Sequence, residues 1–191
     1  MSATSKTQAR KPAQKPVLRP FSPHFSCGPV KKHPGWSLDA LGGAMISRSH
    51  RSGAGVARIA EAIDRTHALL GCPDHYKVAM LPGSDTGAME AAMWSLLGAR
   101  GVDVFSCDEF GRRWVLDARD ELKPDGLRIH EAAYGELFDI SRYDPSRDAV
   151  FTYNGTAAGV RIPDFDWIAA DREGLTICDA TSAAFAMPVD W

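Results

Sequence analysis

The chain has 191 residues, 45% hydrophobic and 24% charged, which is enough for one sizeable core and ordinary for a globular protein. Its net charge of −2 is unevenly spread: residues 1–38 hold seven Lys/Arg and no acid, leaving 15 basic and 24 acidic residues after them. A basic head on an acidic body is not the profile of a nucleic-acid-binding domain, and no apolar run reaches membrane-spanning length.

Residues 1–20, rich in Lys, Arg, Pro, Ala, Gln and Ser, read as a disordered tail without the apolar region of a secretory signal. Residues 21–35, FSPHFSCGPVKKHPG, read as an irregular arm, and residues 36–41 as a short helical turn. The basic knot SRSHRS at 47–52 is open to two readings: a solvated loop, or a place where His50 and Arg51 hold an anionic ligand. Residues 53–70 read as a helix, with Val56, Ile59, Ile63, Thr66 and Leu70 at its period and Gly71 at its end. The short apolar run 76–81 reads as a strand stopped by Pro82 and Gly83. A helix over 84–97 follows, with Ser84, Asp85 and Thr86 as candidate caps and Gly98 as its terminator.

Beyond it lie a strand at 102–106, a helix at 108–122, and strands at 127–132 and 148–153. A short helix at 165–170 and a strand at 174–178 running into Asp179 complete the series. Strands alternate with helices, and several strands are apolar throughout. This predicts an α/β fold: a mostly parallel sheet with helices on both faces. Cys27, Cys72, Cys107 and Cys178 form no CxxC, and the six histidines form no HxxxH or HExxH pair. Reduced thiols in a cytoplasmic protein without a metal site are the plain reading.

In an open parallel sheet, ligands bind beyond the carboxyl ends of the strands. Those ends carry Pro82-Gly83-Ser84-Asp85-Thr86, then Ser106 to Gly111, then Asn154-Gly155-Thr156, then Asp179, Thr181 and Ser182. The glycine turn at 80–98 is neither a Walker loop nor a GxGxxG fingerprint, and alone it reads equally as a phosphate cradle or a capped βα corner. Phe110 adds an aromatic ring and Thr156 a hydroxyl. Asp179 adds a carboxylate at the end of a buried strand, where it needs a cation such as a protonated heterocyclic nitrogen. Together they describe a site for a phosphorylated aromatic cofactor.

The pieces FSCGPVKKHPGW, SRSHRS, LPGSDTGAMEAAMWSLLG, FTYNGTAAGVRIP and CDATSAAFAMPVDW, in that order, resemble the phosphoserine aminotransferase family of class V, fold type I pyridoxal-phosphate enzymes. The resemblance implies pyridoxal 5′-phosphate as cofactor. Ser84, Asp85 and Thr86 would hold its phosphate, Phe110 would stack on its ring, Thr156 would donate to the 3′ oxygen, and Asp179 would pair with the ring nitrogen. It implies that His50 and Arg51 bind the substrate phosphate from the neighbouring subunit of a homodimer.

The implied reaction moves an amino group from glutamate to 3-phosphohydroxypyruvate in serine biosynthesis, in the cytoplasm, with no nucleic-acid or membrane partner. The family's Schiff-base lysine and small domain fall beyond Trp191. The expected division is therefore a tail (1–20), an arm with a substrate-phosphate loop (21–52) and an incomplete cofactor-binding large domain (53–191) without its catalytic lysine. A non-catalytic α/β binding module and a sister class V transaminase remain as alternatives.

Overall fold

The computed structural model describes residues 32–189 and 191. The readings of a basic tail at 1–20, and of most of the arm at 21–35, lie outside them. The chain divides into two compact units, Met1–Ser47 and Arg48–Trp191. In the described part of the first, a 3-10 turn, Leu38–Leu41, matches the helical turn expected there. Ser37 caps it by accepting from the Asp39 amide at 3.2 Å.

The second unit opens with α1 (Gly53–Leu69), capped by the Ser52 hydroxyl, which accepts from Gly55 N. None of its residues is buried, and Val56 and Leu69 stand 54% and 75% exposed, so its apolar stripe faces no core among the described residues. The helix α2 (Ser84–Leu96) follows, then β1 (Val102–Ser106), α3 (Glu109–Leu116) and β2 (Arg128–Glu131). The hairpin strands β4 (Asn154–Gly155) and β5 (Val160–Arg161) lie between β3 (Asp148–Thr152) and β6 (Thr176–Asp179).

The main sheet has the order β2-β1-β3-β6, and each of its three pairings is parallel. Every residue of β1 and β3 is buried, the polar Asp103, Ser106, Asp148 and Thr152 included, and apolar residues make up the middle of both strands. Alternation along the strands gives the sheet two cores. Val102, Val104, Val150 and Ile177 point to one face, where Met89 and Met93 of α2 and Trp114 and Val115 of α3 cover them. Phe105, Ala149 and Phe151 point to the other, under Phe138, Phe165 and Trp167 from the stretch 137–168. Phe105 lies 5.1 Å from Phe138, and Phe151 lies 5.2 Å from Trp167, ring centre to ring centre.

Three expectations about local structure need correction. Residues 76–81 form no strand: a strand needs a hydrogen-bonding neighbour, and the run finds none among the described residues, with Met80 64% and Leu81 52% exposed. The helix expected at 108–122 is α only to Leu116, then widens into a π segment, Asp117–Leu122, where Lys123 N donates to Ala118 O at 2.8 Å. The wider turn keeps Ala118 in the core while bringing Leu122 back onto the same cluster.

The short helix at 165–170 is a turn. Phe165, Trp167 and Ile168 all face the second cluster, a spacing that a helix does not provide.

Candidate functional site

The cap of α2 also differs from expectation. Neither Ser84, Asp85 nor Thr86 is the N-cap; Gly83 is, at φ +98°, and no side chain caps the helix. The ladder begins where Gly87 N donates to Gly83 O at 2.9 Å, so the amides ahead of it have no capping partner. Ser84 itself sits at φ +60°, a region that non-glycine residues enter at a cost. Gly87 is needed for space: a Cβ there would lie 2.5 Å from Pro82 O. The result is a tight turn with exposed Ser84, Asp85 and Thr86 at a helix start, where the dipole favours an anion.

Chain geometry puts this helix start at the carboxyl edge of the sheet. α2 packs on β6, and Met89 and Met93 share a cluster with Ile177. Five residues connect the end of α2 to the first residue of β1. The C-terminal end of α2 is thereby held near the amino edge of the sheet. Its thirteen residues span about 20 Å towards the opposite edge.

At that edge the remaining candidates are joined through hydrogen bonds. Asp108, at the end of β1, caps α3: its Oδ1 accepts from the amides of Phe110 and Gly111, both at 3.0 Å. Its Oδ2 accepts from Ala157 N at 3.2 Å, which ties the start of α3 to the hairpin loop that carries Thr156. The Thr156 and Ser182 hydroxyls lie 2.7 Å apart, and Ser182 Oγ also donates to Asn154 Oδ1 at 3.1 Å. Asp179 ends β6, with Thr181 N and Thr181 Oγ1 donating to its Oδ1 at 3.0 and 2.7 Å. Trp114 Nε1 donates to Asp179 Oδ2 at 3.0 Å. Phe110 is 42% exposed at the first turn of α3, with the Arg113 guanidinium 5.5 Å from its ring centre.

Phe110, Thr156 and Asp179 thus belong to one bonded group at the strand ends, and the α2 turn lies at the same edge. His50 and Arg51 do not join them. Both are exposed in the turn before α1; Arg51 N donates to Ser49 Oγ at 3.1 Å, and neither the His50 nor the Arg51 side chain makes a hydrogen bond or ion pair among the described residues. Two thiols flank the group. Burial, and then the neighbouring acid, push both upward: Cys107 beside Asp108, and Cys178 beside Asp179. Both shifts favour the protonated thiol, the less nucleophilic form.

Asp108 and Trp114 are the residues of this group to which the sequence assigns no role. A buried Trp needs an acceptor for its N–H, and that was the available signal for Trp114. No group of three or more potential metal ligands occurs among the described residues.

The phosphoserine aminotransferase of Methanosarcina barkeri is 49% identical over 177 residues, 93% of this chain and 48% of its own length. That of Methanosarcina mazei matches at the same identity and coverage. This chain is homologous to phosphoserine aminotransferases. It spans about half the length of these curated relatives. The crystal structure of the Cytophaga hutchinsonii phosphoserine aminotransferase superposes with a TM-score of 0.67 at 25% identity, over 81% of this chain and 43% of that one. The pyridoxal-phosphate-bound phosphoserine aminotransferase of Trichomonas vaginalis shares the fold at 17% identity and a TM-score of 0.57, over 76% of this chain and 41% of its own. No protein-family model matches the chain. The likeness agrees with the fold observed, a parallel sheet with helices of the fold type I kind.

Proposed function

We propose that this chain carries the cofactor-binding part of a phosphoserine aminotransferase, which transfers an amino group from glutamate to 3-phosphohydroxypyruvate. The observation that carries the reading is Asp179: a half-buried carboxylate at the end of the parallel edge strand β6, held by three donors from Thr181 and Trp114. The donor set fits pyridoxal 5′-phosphate. The uncapped start of α2 suits a phosphate, and the carboxylate suits a protonated ring nitrogen. The half-exposed ring of Phe110 suits a stacked heterocycle, and the exposed Thr156 hydroxyl suits a ring oxygen.

When bound, pyridoxal phosphate supplies the electron sink that amino-group transfer needs. In this reading the chain's residues do the holding. Ser84, Asp85 and Thr86 fix the phosphate, Phe110 fixes the ring plane, and Asp179 keeps the ring nitrogen protonated. Thr156 orients the ring oxygen. The strand-end loops that assemble this group contain no lysine.

His50 and Arg51 serve the substrate phosphate of a second copy in a homodimer. Their exposure, basic charge and separation from the strand-end group support this, and a guanidinium fork suits phosphate. The setting proposed is the cytoplasm; no helix among the described residues is long and apolar enough to cross a membrane.

Titration of the purified chain with pyridoxal phosphate and, separately, with NAD tests the reading. Preferential binding of pyridoxal phosphate, weakened at least tenfold by Asp179→Asn, is expected from loss of a charged hydrogen bond. Preference for NAD, or indifference to Asp179→Asn, defeats it.

A further inference from the structure

Asp179 has its carboxylate gripped from two elements. From its own strand end, Thr181 N and Oγ1 both donate to Oδ1. From α3, Trp114 Nε1 donates to Oδ2 at 3.0 Å. An ionised carboxylate offers about four acceptor positions, so one is left, and it is on Oδ2.

The Trp114 ring cannot drift. It is 3% exposed and packed in the cluster of Met89, Met93, Val104 and Ile177. Phe110 and Trp114 are four residues apart on α3 and so share a helix face. One rigid helix therefore sets both the exposed ring at the sheet edge and the orientation of the carboxylate beneath it.

We propose that Trp114 is a positioning residue: through its indole N–H it holds Asp179 so that a single Oδ2 lone pair is presented to a protonated ring nitrogen. This rests on the cofactor reading above. The indole does not touch the cofactor; its effect is confined to how well Asp179 distinguishes a ring with a nitrogen from one without. A role limited to packing changes all ligands alike, which gives the two roles different signatures.

The test uses pyridoxamine 5′-phosphate, which has no aldehyde to react with surface lysines, and its analogue with C–H in place of the ring nitrogen. Affinities for both are measured by calorimetry on wild type and on Trp114→Phe, which keeps an aromatic ring and removes the donor. Wild type is expected to prefer the nitrogen-containing ligand, and Trp114→Phe to reduce that preference about tenfold while leaving the analogue's affinity unchanged. Equal weakening of both ligands, or an unchanged preference, overturns the role of Trp114 and leaves the cofactor reading standing. A wild type without preference for the ring nitrogen overturns the cofactor reading, and this inference falls with it.

If Trp114→Phe does not fold, the indole Nε1–H resonance of the wild type gives the answer. It is expected to shift on adding pyridoxamine phosphate and to stay in place with the analogue. A resonance that responds to both or to neither overturns the proposal.

Discussion

Asp103 on β1 faces Arg128 at the matching register position of β2, and the carboxylate takes Arg128 Nε at 2.6 Å and Nη2 at 2.5 Å. Arg147 adds a third charged donor, its Nε 3.1 Å from Asp103 Oδ1, and also bonds the Val102 and Gly126 carbonyls. Asp103 is 1% exposed. Burial pushes its carboxyl up, but the hydrogen bonds from Arg128 and Arg147 outweigh it and hold it below the ordinary range. Replacement by Asn leaves two guanidinium groups with a neutral partner. Asp103→Asn is expected to cost about 3–5 kcal/mol, read as a fall in the urea midpoint. A loss under 1 kcal/mol would sink the claim that this group ties the strands together.

The same carboxylate gives a pH dependence with a fixed sign. Its folded pKa lies below the unfolded value near 3.8, so its contribution is complete above that value and disappears as pH falls through the folded pKa. Stability measured from pH 6 to pH 2 should fall below about pH 4, and Asp103→Asn should flatten that fall. A parallel decline in both proteins would assign the acid sensitivity elsewhere.

Asp108 joins the start of α3 to the hairpin loop through Phe110 N, Gly111 N and Ala157 N. Asp108→Ala should cost about 2 kcal/mol, the upper range for a lost cap. The diagnostic readout is amide exchange. The amide of Ala157 should exchange faster in the variant, and unaltered protection there would show that the loop holds itself.

At the α2 turn, Gly87→Ala places a methyl 2.5 Å from Pro82 O, so the backbone must move. Pyridoxal phosphate affinity should fall at least tenfold while melting changes by only a few degrees. Unchanged affinity would mean that the Gly83–Gly87 turn does not hold the phosphate.

Uncovered apolar surface predicts association. Val56, Leu69, Met80, Leu81 and Trp94 are each more than 40% exposed, and β6 has no neighbour on its outer side among the described residues. The chain should bind a hydrophobic dye, and its sedimentation coefficient should rise with concentration. A monodisperse monomer indifferent to the dye would contradict this.

Much of the architecture was legible because β1 and β3 are buried on both faces and therefore carry mostly apolar residues. Glycine and proline also marked their ends. The run at 76–81 carries the same local signal, yet strand formation depends on a hydrogen-bonding neighbour that local sequence does not specify. Asp103 sits inside an apolar strand, and its partners Arg128 and Arg147 are far off in sequence, so nothing local announces their meeting. The strand-end rule put Phe110, Thr156 and Asp179 forward, and they follow the carboxyl ends of β1, β3 and β6, which run parallel. Trp114 was missed because it lies inside a helix, where an aromatic reads as core; its N–H bond is a tertiary fact.

The all-parallel order of the sheet sets how the chain must assemble. Asp103 pairs with Arg128 and Ala149, and Thr152 with Asp179, so no two main-sheet neighbours can zip up from a tight turn. Each pairing must first close a loop of at least two dozen residues, an entropic cost met before any contact forms. β6 lies at the edge and comes last in sequence among the described strands, and its pairing with β3 closes a shorter loop than the pairing of β1 with β3. On a ribosome, Asp179 emerges after β1, β2 and β3.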